Sequence, residues 1–207
     1  MKKYIAAVSA LVLLAGCSSV KMHTTEEMYA YLNEQYGLEE SSLSVVETIS
    51  YSKDNKEAAA VVFTDRDSLE FIVFDEFDGE RETPFDVCEY VLGDYYTQAV
   101  VAEVCGISFD SRQYLEGGIS SPEKILMFSD TDEFETVLEE YSALNAMCVS
   151  KGLGVSDLSW YVHPAVSTSD GTEKMILVGN KYYNDDGTLN EEGLAEFTAE
   201  AEKLLSE

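Results

Sequence analysis

The chain is poor in positive charge. It holds 13 lysines and arginines against 40 aspartates and glutamates, a formal net charge of −27 over 207 residues. Affinity for a phosphate backbone rests on lysine and arginine, so nucleic acid is excluded as a main partner. Histidine is almost missing, with His23 and His163 the only two. Serine-type catalysis needs a histidine base beside its nucleophile, and no Gly-x-Ser-x-Gly stands in the chain. A cysteine nucleophile would need His163 beside Cys88, Cys105 or Cys148. Zinc-type Cys-x-x-Cys and His-x-x-x-His spacings are lacking, as is a glycine-rich phosphate loop. We therefore assign no catalytic, cofactor-binding or metal-binding residue and no cofactor. Nor does any apolar run reach the ~20 residues that a spanning helix needs. Aromatic residues, by contrast, make up 11% of the chain. Acidic chains that stay disordered are poor in them, so this one is expected to fold.

The opening residues form a pattern of their own. Met1-Lys2-Lys3 is a small basic head, and Tyr4 to Gly16 is apolar apart from Ser9. A basic head, a short apolar run and small residues at its end describe a secretory signal. Leu14-Ala15-Gly16-Cys17, followed by Ser18-Ser19, resembles the lipobox of bacterial lipoproteins. The resemblance covers about the first 20 residues. It implies that Cys17 takes a diacylglycerol, that residues 1–16 are cut away, and that Cys17 becomes the first mature residue. Each buried lipid CH₂ contributes about 0.8 kcal/mol and a single chain binds only reversibly. Two or three acyl chains on Cys17 would hold the protein durably on the extracytoplasmic face of the cell membrane. Removing residues 1–16 takes away Lys2 and Lys3 and no acid, which moves the net charge from −27 to −29 over 191 residues. Such a body is repelled by anionic lipid; its charge is compatible with a protein or cationic peptide partner, with metal ions or polyamines, and equally with plain solubility.

Lipidation of Cys17 leaves Cys88, Cys105 and Cys148, an odd number, so at least one is a free thiol or bonds another chain. A single helix carrying both Cys88 and Cys105 would hold them about 25 Å apart. That is too far for a disulfide between the two. All three are read as thiols packed as small hydrophobes.

Periodicity predicts an α+β protein, antiparallel strands flanked by helices. Thr25 caps a first helix with Met28, Leu32 and Tyr36 on its apolar side, ended by Gly37. Leu43 to Tyr51, Ala58 to Thr64 and Leu69 to Phe77 read as a three-stranded meander, with Leu43, Val45, Ile49 and Tyr51 on one face. A helix is expected from about Phe85 to Val104, with Gly93 as its weak point. The Gly/Ser/Pro-rich stretch 109–122 is the candidate sub-boundary. Beyond it come a short strand, Lys124 to Phe128; a helix capped by Asp130 or Thr131 with Phe134, Val137, Tyr141, Leu144 and Cys148 in line; and a strand from Leu158 to Val166, where Pro164 suggests an edge position or the strand's end. Then follow a turn at Ser169-Asp170-Gly171-Thr172, a partner strand from Lys174 to Tyr183, and a last helix capped by Asn190 with Leu194, Phe197, Ala201, Leu204 and Leu205 on its apolar side. The chain thus divides into a signal (1–16), a lipidated tether (17–25) carrying His23, and an acidic body (26–207) whose two halves are similar in order of elements.

Asn184-Asp185-Asp186-Gly187 has the sharp glycine of a calcium loop, but Tyr182 and Gly193 fill the positions where an EF-hand wants Asp and Glu. It is read as a turn. The tyrosines at 90, 95, 96, 182 and 183 are read as packing. The function expected is non-catalytic binding by a membrane-anchored lipoprotein. The alternatives are a cell-envelope hydrolase using acidic residues and an immunity or inhibitor lipoprotein holding a basic partner.

Overall fold

The structure, a computed structural model, describes residues 22–53, 56–78, 89–154, 160–168, 171–176 and 179–206. The lipobox, Cys17 and Cys88 lie outside the described residues. Among these are five helices and two sheets, an α+β arrangement. Helix α1 (Thr25–Tyr36) starts one residue earlier than expected. Thr24 is its cap and forms a reciprocal box with Glu27, whose carboxylate accepts the Thr24 amide at 2.6 Å. Gly37 ends it.

Strands β1 (Ser44–Lys53), β2 (Lys56–Thr64) and β3 (Glu70–Asp78) form the expected antiparallel meander. One detail differs. The β1–β2 register slips between Val45 and Glu47, so Val46 is an extra residue. A bulge of this kind reverses the alternation. Leu43 therefore joins the main core, while Ile49 and Tyr51 pack on the opposite face of the sheet with Ala60, Val62, Ile72 and Phe74.

The helix expected over 85–104 is instead two elements among the described residues. These are an edge strand β4 (Glu89–Asp94), paired antiparallel with β3, and a helix α2 (Tyr96–Cys105). Gly93 decides the matter. It faces Phe74, and a Cβ there would fall 2.8 Å from the ring. The glycine is thus a close-approach residue of a strand. With no single helix running from 85 to 104, the 25 Å separation argued for Cys88 and Cys105 loses its premise. A short helix α3 (Ser111–Leu115), capped by Asp110, occupies part of the Gly/Ser/Pro-rich segment. It packs Tyr114 on Tyr95 with ring centroids 4.7 Å apart.

The second sheet has the order β5-β6-β7 and is mixed. Strands β5 (Lys124–Phe128) and β6 (Val162–Ser167) run parallel. The 20-residue helix α4 (Thr131–Ser150) between them returns the chain to the end it started from. Strand β7 (Glu173–Met175) pairs antiparallel with β6 through the expected turn, two residues of which lie outside the described ones. The partner strand is shorter than expected, since Asn180–Tyr182 forms a 3₁₀ turn. Pro164 sits in the central strand, not at an edge. Its carbonyl accepts the Ile176 amide at 2.8 Å, just past the end of β7. The N–H that proline lacks falls where the ladder stops, which is why a middle strand tolerates it.

Helix α5 (Glu191–Leu205) is capped by Asn190, whose side chain accepts the Gly193 amide at 2.8 Å. Leu194 is exposed rather than on the buried side, which takes Gly193, Phe197, Ala201 and Leu204. One apolar cluster joins α1, the inner faces of both sheets, α2, α4 and α5.

Candidate functional site

Three features rise above packing. The first is a buried acid. On β3 the residues at 71, 73 and 75 share the inner face, and Asp75 is fully buried there beneath the start of α1. Both of its carboxylate oxygens accept the His23 backbone amide, at 3.2 and 3.3 Å, and the His23 ring Nδ1 stands 2.5 Å from Oδ1. A buried carboxylate is costly unless its oxygens are hydrogen-bonded, and the His23 amide and ring supply those bonds. The residue expected in a free tether is thus fastened to the sheet.

The second is a cleft of about 390 Å³ at the other end of α1. Its walls are the C-terminus of α1 (Tyr36, Gly37), the β2–β3 turn (Asp65, Arg66, Asp67), Tyr96 and the end of α4 (Lys151, Gly152). The turn holds itself: Asp65 Oδ1 accepts the amides of Asp67 and Leu69, both at 2.9 Å. Lys151 Nζ lies 3.0 Å from Glu103 and 3.3 Å from Asp67. Burial works against the charge of Lys151, but the two carboxylates outweigh it and hold its proton above the ordinary lysine range. The Tyr96 hydroxyl donates to the Lys151 carbonyl at 2.8 Å, and burial pushes it up to about 12. Arg66 donates only to Ser41 Oγ, at 3.4 Å, among the described residues. Gly152 lets the walls meet: its φ is +91°, and a Cβ would stand 2.5 Å from the Tyr36 carbonyl oxygen. Beneath the cleft Asp94 gathers three donors, from Tyr31 at 2.6 Å, Tyr36 at 3.0 Å and the Tyr96 amide at 2.8 Å.

The third is the outward face of the second sheet. Met127, Ala165 and Met175 form a row across β5, β6 and β7, and Ile125 lies beside Met127. Ile125, Met127 and Met175 are 37, 38 and 49% exposed. Ala165, between the two methionines, is fully buried. Exposed Glu173 shares this face. Trp160, just before β6, is 78% exposed.

The residues weighed in the sequence end in ordinary roles. His163 is buried, with Nε2 3.7 Å from Glu123. Cys105 and Cys148 are free, and burial pushes the Cys148 thiol up to about 12, away from a reactive thiolate. Asp186 accepts the Thr188 hydroxyl at 2.6 Å and its amide at 3.0 Å, so its oxygens hold the turn. These bonds, the hydroxyl's first, lower its pKa. Tyr95 and Tyr96 pack on Phe74 and Phe71, and Tyr183 hydrogen-bonds Tyr141. What the sequence reading missed is Asp75. Its signal was present: an acid at an inward position of the apolar run Phe71 to Phe77.

Residues 1–18 match the family model of the prokaryotic membrane lipoprotein lipid attachment site. The protein is a membrane-anchored lipoprotein. No curated protein and no solved structure matches the chain. Among the described residues of this lipoprotein no helix is long and apolar enough to cross a membrane.

Proposed function

We propose that the lipoprotein carries its lipid on Cys17, stands on the extracytoplasmic face of the membrane, and binds a protein partner without catalysing a reaction. In this reading the tether expected over 17–25 shortens to 17–22, because His23 is fastened to Asp75 and the body begins there. The observation that supports binding is the exposed apolar side chains of Ile125 and Met127 on β5 and of Met175 on β7, which flank buried Ala165 on an otherwise acidic body. Exposed apolar surface rimmed by polar groups is characteristic of interaction sites. The partner's chemistry follows from complementarity: apolar side chains among lysines or arginines, opposite Met127 and Met175 and the acid at Glu173. A hydrolase using acidic residues is less well supported. The carboxylates around the cleft are already engaged, Asp65 by two amides and Asp67 and Glu103 by Lys151.

Two arms test this. Cys17→Ala should leave the protein unlipidated and out of the membrane fraction; unchanged lipid labelling and fractionation would refute the anchor. Detergent-solubilised membranes passed over the immobilised protein and over its Met127→Glu variant test the face. A basic protein held by the first, released by salt and not held by the second is the expected result. Equal retention on both would refute the docking face.

A further inference from the structure

The His23–Asp75 contact lies at one end of α1 and the cleft at the other. Two independent rulers measure the separation. Helix α1 begins just after His23 and ends at Tyr36 in the cleft wall; its 12 residues span about 18 Å at 1.5 Å each. Strand β3 runs antiparallel to it, from the turn that holds Asp65 to Asp75, and the steps from Leu69 to Asp75 span about 20 Å. The chain between Cys17 and His23 is short. Six residue steps reach at most about 20 Å even when fully extended.

We propose that His23 seated on Asp75 is the foot on which the body stands. It fixes the end of the first sheet where β1 passes into β2 towards the bilayer and turns the cleft outward. This rests on lipidation at Cys17. Without the clamp, the anchor would continue as free chain into the start of α1 and the body would tumble about it. With it, a buried, doubly bonded carboxylate sets the point of attachment. The net charge of −29 after loss of residues 1–16 adds repulsion from anionic lipid, which keeps the far end off the surface.

The test uses the lipidated protein in vesicles carrying an energy acceptor on the lipid headgroups. A fluorescent amino acid is placed either at Glu26, exposed beside the foot, or at Ser150, exposed at the cleft. Transfer should be markedly stronger from Glu26, and Asp75→Ala, which removes the acceptor of both the His23 amide and its ring, should bring the two positions close together. A circular dichroism spectrum matching the parent shows that the variant is folded. Equal transfer from the two positions in the parent overturns the proposal, without recourse to any variant. So does a difference that survives Asp75→Ala in folded protein. Failure of the parent to float with the vesicles overturns the lipid reading and this one with it, and is distinguishable because no transfer is then seen from either position.

Discussion

Asp75 shows how a single side chain changes the meaning of its neighbours. An acid with no access to water on a central strand must be answered from within, and the answer comes from the backbone and ring of His23. Other buried groups carry a measurable signature of their own. Burial raises the Tyr96 hydroxyl from 10.0, and the Cys148 thiol from 9.0, to about 12 in each case. Both groups hold their protons to a higher pH when folded than when unfolded. Their contribution to stability is therefore complete below pH 9, declines as pH rises through 9 and 10, and is gone by about 12. Urea-unfolding midpoints followed across that range should fall, with tyrosinate absorbance appearing as the fold is lost. Midpoints that stay level to pH 12 would contradict the burial of both groups.

Helix α4 and strand β4 mark what pattern reading reaches. The apolar stripe of α4 is sustained over 20 residues and capped by Asp130, whose carboxylate accepts the Glu133 amide at 2.9 Å; only one period fits it. The 85–104 stretch has no such length of evidence. Val91 and Tyr95 satisfy helical spacing, yet the pairing of β4 with β3 outweighs it, and a six-residue strand is too short to announce a period of two. The bulge at Val46 and the central position of Pro164 were hidden for a similar reason: each depends on a partner strand rather than on its own sequence. Gly93→Ala tests the strand assignment. The methyl group would press on Phe74, which is nearly buried and held by Tyr51 and Tyr95. The expected cost is about 1–3 kcal/mol in chemical denaturation. A helix would gain about 1 kcal/mol from the same change, so the sign alone separates the two.

Charge and attachment belong to the protein in its full extent. Composition was enough to foresee a folded acidic body, and the lipobox resemblance at Leu14 to Cys17 its membrane anchor, but neither foretold the cleft, whose walls come from residues as far apart in the chain as Tyr36, Asp65 and Lys151. The outward row of methionines was equally hidden, since only the register of three strands brings it together. The excess of acid makes a direct prediction. Self-repulsion opposes the compact state, and it is screened over about 10 Å at 0.1 M salt. The ion pairs of the described residues are few and mostly exposed, so their weakening by salt is the smaller effect. The melting temperature of the body should therefore rise from low to physiological ionic strength; a fall would mean that specific pairs outweigh the general repulsion.

The larger of the two apolar clusters also constrains the order in which the protein comes into being. Met28 and Leu32 belong to the same cluster as Phe197, Ala201 and Leu204. Synthesis delivers the first pair long before the last three. Phe134 and Tyr141 stack against Phe197, at centroid distances of 5.6 and 5.8 Å, and have no such cover until α5 arrives. A ribosome that stops before Glu191 leaves a chain already bearing its N-terminal attachment signal, with the rings of α4 uncovered, so it is α5 that closes this core.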